Sequence, residues 1–494
     1  MISIIVAIAI VDGVLLATHW PFTRQAVIKT LQEASSGAVE IKRFRRTYFP
    51  HPGCIAEDVV IHHPDDPSGP PLITVSRLTV AGDYSRLLRF SRNLDVIRTD
   101  GMHIRIRAGK QPASRGGGAK YGAQLRIDTF IADRTVLEFA SEQAGKPPFR
   151  ILIHTTRLSP VSGHEPVHYE TDLRIPTPPG EVHSDGKLGP WNAGDPFATG
   201  VSGSYRLHDA DLGFAQGIGG ILQSEGVFSG SIRHIDVSDA VTVPDFRVTS
   251  AQHKVGLGAH VQASVNGETG NVVLQAIRVH LANSDIAGSG SISGPEGGEK
   301  VVSLALAVPQ GRIDDFLYLL TQSPRPGMRG DLTIHTTATL PAGSRPFLEK
   351  LRMNGSFQMT RAYFTEPATE ESLDRIRDKS RRRPADYTVN ALSELGGKVV
   401  VRDGEARLSN IAFGVPGASA SLSGIYNLLT TRIDLRGTAH LQRGLSSATT
   451  GIKSFFLKVL NPFFKSKGRK GSDVPIKITG NWEHTSVALD LPKK

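Results

Sequence analysis

Along most of this chain apolar residues return at every second position, the period of a strand with one dry and one wet face. In Met102–Arg107 the apolar set Met102, Ile104 and Ile106 alternates with His103, Arg105 and Arg107. Leu332, Ile334, Thr336, Ala338 and Leu340 share one face of Asp331–Leu340. Further on, Ile476 and Ile478 alternate with Lys477 and Thr479, and Val487, Leu489 and Leu491 with Ala488 and Asp490. A loose phrase also recurs, a small or polar run ending in Ser-Gly or Thr-Gly, at Thr199–Tyr205, Phe228–Ile232, Ala287–Gly294, Ser419–Tyr426 and Ile478–Trp482. Its irregular spacing excludes a propeller or a strict solenoid. It suits a long sheet of successive hairpins, or the Gly-rich turns of an ordinary sandwich.

Few stretches leave the two-residue period. Residues 2–19 (ISIIVAIAIVDGVLLATH) form one apolar run, with no second one in the rest of the chain. From Ile2 to Ala17 a helix would be about 24 Å long, against a hydrocarbon core of about 30 Å. Trp20 falls where the headgroups would be, whereas Asp12 costs about 3 kcal/mol at a helix centre. No basic stretch precedes the run and no A-x-A site follows it, so a retained anchor is expected over a cleaved leader. Phe22, Ala26, Val27, Leu31 and Ala34 then follow a helical spacing, as do Ile313, Phe316, Leu317 and Leu320, and Leu373 with Ile376. Lys110–Lys120, Pro176–Pro196 and Asp374–Pro384 are expected to be loops.

Ile452, Phe455, Phe456, Val459, Leu460 and Phe463 fall within one helical arc, followed by Lys465, Lys467, Arg469 and Lys470. Large apolar side chains flanked by cations suit a helix lying in a membrane interface, or one plugging the end of a sheet. Position along the chain places this segment at the end far from the anchor.

Composition narrows the class. With 21% charged and 39% hydrophobic residues the chain is neither disordered nor polytopic in a membrane. The net charge of +10 is not gathered into a nucleic-acid motif, so anionic headgroups or a solvated cationic surface are the expected reasons for it. One cysteine, Cys54, excludes an intrachain disulfide framework and any cysteine-rich metal site.

Catalytic motifs fail on inspection. His164–His168 (HEPVH) matches a zinc signature, but Pro166 interrupts it and the residues after it alternate as a strand. Strand positions four apart are separated by about 13 Å, too far to share a metal bound at about 2.1 Å. His62-His63-Pro64-Asp65-Asp66 sits in a turn, Gly116–Gly118 lacks the Lys-Ser/Thr of a phosphate loop, and no serine occupies a G-x-S-x-G elbow. Asp314-Asp315 and Glu370-Glu371 are expected to cap and solvate helices. No catalytic residue, metal or cofactor is expected. A hydrolase on a repetitive β-scaffold would need paired carboxylates and aromatic platforms, and aromatics make up only 6%.

Both ends of the chain resemble the AsmA-like family of bacterial envelope proteins, relatives of TamB and YhdP. At the N-terminal end the resemblance lies in the order of anchor, short helix, Ser36–Ile41, Pro52-Gly53, Leu72–Val80, Leu87-Leu88 and Val96–Ile106. At the other it lies in Phe413–Ala418, Gly444–Ser446 and Val474–Gly480. It implies a single inner-membrane helix with the bulk of the chain in the periplasm. It further implies an elongated, curled, mostly antiparallel β-sheet with an apolar groove and a few short helices. The implied role is phospholipid transport between inner and outer membranes and outer-membrane assembly, without a catalytic centre. A scaffold factor that binds envelope proteins through strand edges is the alternative.

The expected organisation is an anchor at 1–20, an N-terminal AsmA-like region at 21–110, a middle sheet at 111–310 and a C-terminal AsmA-like region at 311–494. Alternation nominates Met102, Ile104, Ile106, Leu332, Ile334, Val487 and Leu489 as groove-lining. Ile452, Phe455, Phe456, Val459 and Phe463 are the interface candidates. The expected partners are phospholipids, the inner membrane through residues 2–19, and the outer membrane or an envelope protein, with no nucleic acid. Roughly 25 strands at about 4.8 Å each would make a body about 120 Å long.

Overall fold

The computed structural model describes residues 22–35, 37–64, 66, 68–85, 93–106, 126–139, 148–162, 165–190, 192, 195–251, 253–295, 299–322, 326, 328–364, 391–415, 418–441, 473–481 and 485–489. The apolar run 2–19, the helical arc at 452–463 and the Leu373/Ile376 pair lie outside them. So do the stretches Lys110–Lys120 and Asp374–Pro384.

Helix α1 (Arg24–Ser35) opens the described chain, and all 24 strands then join one sheet. The first eight strands are β1 (Val39–Thr47), β2 (Gly53–Ile61), β3 (Ile73–Ala81), β4 (Asn93–Ile106), β5 (Arg126–Phe139), β6 (Phe149–Ser159), β7 (Val167–Pro176) and β8 (Pro179–Leu188). The next eight are β9 (Gly200–Asp211), β10 (Ile218–Gly219), β11 (Ile221–Ser231), β12 (His234–Val248), β13 (Val255–Val265), β14 (Val272–Leu281), β15 (Ser284–Ser293) and β16 (Val301–Arg312). Helix α2 (Ile313–Leu320) precedes β17 (Met328–Leu340), and the one-turn helix α3 (Phe347–Lys350) precedes β18 (Arg352–Phe364). The last are β19 (Ala391–Arg402), β20 (Glu405–Val415), β21 (Ala418–Asn427), β22 (Arg432–Leu441), β23 (Asp473–Asn481) and β24 (Thr485–Leu489).

Each strand pairs with the next along the chain, save that β9 pairs with β11 while the two-residue β10 pairs with the end of β12. Every pairing is antiparallel except β4 with β5. Parallel neighbours need a connection that returns the chain along the strand. Fourteen residues of β4 cover about 46 Å, and residues 107–125 join its end to the start of β5.

Alternation carries one apolar face across the sheet. Cross-strand rows such as Ile41–Val59–Val75–Met102, Ile153–Leu173–Val182–Leu207 and Val241–Ala259–Val279–Ile286 all lie on it. Where a bulge inserts an extra residue, it restores the alternation beyond it. Asp58, Arg134, Asp209, Arg361 and Asn410 take positive φ on their strands. The β9/β11, β17/β18 and β20/β21 registers slip beside Asp209, Arg361 and Asn410.

The sheet is curled but open, and α2 shows how tightly it curls. Its eight residues span about 12 Å, yet Leu319 packs with Val248 and Val255 of β12 and β13, while Tyr426 of β21 donates to the Leu320 carbonyl at 3.3 Å. In a flat sheet, β12 and β21 would stand about 43 Å apart. The C-terminal third is thus folded back toward the middle. Among the described residues no helix is long and apolar enough to cross a membrane.

The segment Pro176–Pro196 departs from expectation, because about half of it is β8 rather than a loop. Its composition misleads, since His183, Ser184, Asp185 and Lys187 are polar and Gly186 reads as a breaker. In the sheet Gly186 is buried on the apolar face. A Cβ there would lie 2.2 Å from the Ser202 carbonyl oxygen and 2.9 Å from the Tyr169 hydroxyl, so the glycine makes room for a ring from β7. Gly203, in the first Ser-Gly phrase, and Gly226, after Glu225, play the same part. Both sit mid-strand opposite the rings of Phe228 and Tyr205, where a Cβ would meet them at 2.9 and 2.5 Å. They are packing notches, not turns.

Candidate functional site

The groove begins beneath α1. Thr23 Oγ1 accepts the Ala26 amide at 3.2 Å, capping the first turn, and Arg24 donates to the Ile41 carbonyl at 2.6 Å. Phe22, Val27, Ile28 and Leu31 then pack onto Val39, Ile41, Val59, Val75 and Val80. Phe22 is 4% exposed, and burying a side chain of that size contributes about 2 kcal/mol. Met102 and Ile97 join the edge of this cluster. Cys54, fully buried in it, has its thiol pushed up to about 11 by burial.

Away from α1 the apolar face changes character. From β6 to β16 many of its side chains, among them Ile153, Leu173, Leu207, Val237, Val261 and Leu304, are half-buried, whereas their sequence neighbours on the other face are mostly exposed; towards the α2 and α3 end of β12–β16, Val248, Val255, Leu281 and Val308 are buried. The face is therefore concave but unsealed. Beyond β16 it closes again. α2 covers Met328, Leu332, Leu395, Ile411 and Leu422, and Phe316 and Leu317 pack into the same cluster.

α2 is pinned to the β14–β15 turn by Asp315. This buried carboxylate accepts from the Asn283 amide at 2.9 Å, from Asn283 Nδ2 at 3.1 Å and from Ser284 Oγ at 2.7 Å. Asp315 is thus a structural lock rather than a solvated cap, a role invisible in an Asp-Asp pair at a helix start. At its other end His253 stacks on Tyr318, with ring centroids 4.1 Å apart, and donates from Nδ1 to the Tyr318 carbonyl at 2.8 Å. Gln322 donates to the Ser250 carbonyl at 2.8 Å. Leu348 of α3 is buried with Val248 and Val255. The Phe347 amide donates to the Gln216 carbonyl at 2.8 Å.

A polar seam runs across the strands on the apolar face. Thr156, Thr171, Ser184, Tyr205, Gly226 and Asp239 are successive cross-strand partners from β6 to β12. The Thr156 and Thr171 hydroxyls lie 2.7 Å apart, Tyr169 and Ser184 share a hydrogen bond at 3.3 Å, and Ser224 donates to Asp239 at 2.7 Å. Burial first, and then nearby Asp239, push the Tyr205 hydroxyl up to about 12. Single-strand alternation hides the seam, because each member is one polar or small residue in an otherwise apolar set. Only the register aligns them.

The opposite face carries the charge. Glu138 is buried between Arg105 and Arg150, which donate to it at 3.0 and 2.9 Å. Arg98 and Asp133 pair at 2.7 Å across β4 and β5, and Arg134 pairs with Asp100.

Of the nominated groove residues, Met102 and Ile104 stand opposite Val75 and Ile73 on the apolar face, half-buried. Leu332 and Ile334 lie on the same face of β17, Leu332 only 3% exposed beneath α2. Ile106, Val487 and Leu489 fall on strands, with Val487 opposite Ile478 and Leu489 opposite Ile476. Ile452, Phe455, Phe456, Val459 and Phe463 lie outside the described residues. Of the HEPVH stretch, Val167 and His168 begin β7, and Glu165 pairs with Arg126 at 3.2 Å. Among the described residues no group of three or more His, Cys, Asp or Glu is placed to hold a metal ion. No family model, curated protein or solved structure matches the chain.

Proposed function

We propose that this chain is an inner-membrane-anchored envelope protein of the AsmA-like kind, whose groove shields the acyl chains of phospholipids on their way between membranes. The observation that carries the reading is the half-buried, only partly covered apolar face from β6 to β16. A dry sandwich seals such a face against a second layer, whereas here the described residues supply cover only beneath α1 and around α2 and α3. An uncovered apolar surface of this extent invites an apolar occupant. Followed along its curl, the described sheet extends about 106 Å, which suits a lengthwise path better than a single pocket. The polar seam would meet ester and glycerol oxygens while tails lie on the apolar rows beside it. In this role the protein needs no catalytic centre.

The strand-edge scaffold is less well supported. Among the described residues β1 is paired on one side only, and it carries Lys42, Arg43, Arg45 and Arg46; charge on an edge discourages strand addition.

Photocrosslinking in cells tests the proposal. A benzophenone amino acid at Leu207, on the groove face, should yield lipid adducts, while one at the neighbouring exposed His208 should not. Equal lipid labelling at both positions, or protein adducts alone at Leu207, would sink the conduit.

A further inference from the structure

The turn between β1 and β2 exposes two adjacent aromatic side chains. Phe49 is 91% exposed and Tyr48 53%, at the tip of a hairpin whose last paired residues are Thr47 and Gly53. A phenylalanine at that exposure gains nothing from the fold that holds it. Arg45 and Arg46 approach the tip along β1, both exposed and without an ion pair among the described residues, and His51 follows it, also exposed. Arg43, by contrast, is engaged by Glu57 at 3.1 Å and Asp58 at 3.4 Å.

The tip is also held close to where the apolar run joins the body. The Gly82 amide donates to the Pro52 carbonyl at 2.8 Å, and a Cβ at Gly82 would lie 3.2 Å from the Phe22 ring and 3.7 Å from the Pro52 oxygen. Phe22 and the base of the hairpin are therefore neighbours. Tyr84 donates its hydroxyl to the Tyr48 carbonyl, bracing the tip from β3's far end. Only two residues separate Phe22 from the end of the run at His19.

We propose that the β1–β2 tip is a membrane-interface wedge, in which Phe49 enters the headgroup layer of an anionic bilayer and Arg45 and Arg46 contact its phosphates. Aromatic rings favour that layer, and cations beside it gain from anionic lipid. The wedge would fix the tilt of the β-body on the membrane, which one point of attachment leaves free. It rests on residues 2–19 entering a membrane, but not on the groove carrying lipid.

The test uses the full chain with His51→Cys carrying an environment-sensitive dye. Cys54 is buried and its raised thiol resists labelling. The protein is reconstituted into phosphatidylethanolamine–phosphatidylglycerol vesicles containing a shallow spin-labelled quencher lipid. The dye at residue 51 should be quenched, while the same dye at exposed Ser238, in a Ser238→Cys variant, should not. Adding Phe49→Ser, or Arg45→Glu with Arg46→Glu, should lower the inserted fraction about tenfold. Flotation is scored in parallel. A chain that floats without quenching overturns the wedge and leaves the anchor intact, and one that does not float overturns both. A dye shielded in native membranes but not by pure lipid assigns the tip to a protein partner, and likewise overturns the proposal.

Discussion

Asp315→Ala should release α2 from the sheet while leaving the strands intact. The substitution strips the acceptor from three donors at 2.7, 2.9 and 3.1 Å. Ser284 is fully buried and loses its only carboxylate, at about 2 kcal/mol for an unsatisfied hydroxyl. Asn283 is exposed and can turn to water, so about 1 kcal/mol suffices for its two bonds. The sum, about 3 kcal/mol, corresponds to an opening about 150-fold more frequent. A long sheet of neighbour-to-neighbour contacts does not unfold as one unit, so a melting temperature would dilute the effect. Native-state hydrogen exchange read peptide by peptide is the right assay. Amides of Phe316–Thr321 and of the β14–β15 turn should exchange about 150-fold faster, and those of β5–β9 should not change. Asp314→Ala is the internal comparison, since among the described residues Asp314 accepts a hydrogen bond from Arg312 Nε alone, at 3.3 Å, and should change exchange no more than about twofold. If Asp315→Ala left α2 within about threefold of the parent, or loosened every strand alike, the account of α2 as a pinned cover would fail.

Three further outcomes follow from the geometry. Gly186→Ala should cost about 2 kcal/mol, because its Cβ would strike the Ser202 carbonyl oxygen, whereas Gly258→Ala, with nothing within 4 Å, should be neutral; exchange in β8 and β13 reads both. Cys54, with its thiol near 11, should react with a disulfide reagent at pH 8 at least about two-hundredfold more slowly than a free cysteine, rising as pH rises, and should react freely in denaturant. Burial raises the Glu138 carboxyl, but Arg150 and Arg105 outweigh it and hold it below the ordinary range. Because its folded value is the lower one, its contribution is complete above the unfolded value of about 4.3 and is lost as pH falls through the folded one. Glu138→Gln should therefore flatten the acid limb of exchange protection in β4–β6, and an unchanged limb would remove Glu138 from that role.

Much of the architecture was legible because a strand's period of two survives in the sequence wherever one face is dry. The alternation of Met102 and Ile104 with His103, and of Leu332 and Ile334 with Thr333, marked β4 and β17, and the spacing of Ile313, Phe316, Leu317 and Leu320 marked α2. β8 was not legible, since its groove face consists of Val182, Ser184, Gly186 and Leu188, too small and polar to signal a strand alone. The seam from Thr156 to Asp239 was hidden for a deeper reason. It exists only between strands, and cross-strand register leaves no trace in a single segment. The parallel pairing of β4 with β5 was likewise unreadable, as period two does not encode direction. Phe49 carries no signal in the sequence, because an aromatic next to Pro50 looks like any turn until its exposure is known.

The succession of strands, each paired with its neighbour in sequence, makes length an adjustable property. Removing two adjacent strands between β5 and β9 would shorten the body by about 9.6 Å and return the chain in its original direction. Dry and wet faces would keep their sides. Duplicating a hairpin would extend it by the same step, with the capped first strands and the α2 junction undisturbed. Selection can therefore fit one architecture to gaps of different width by gaining or losing hairpins, and a local lesion need not propagate to either end.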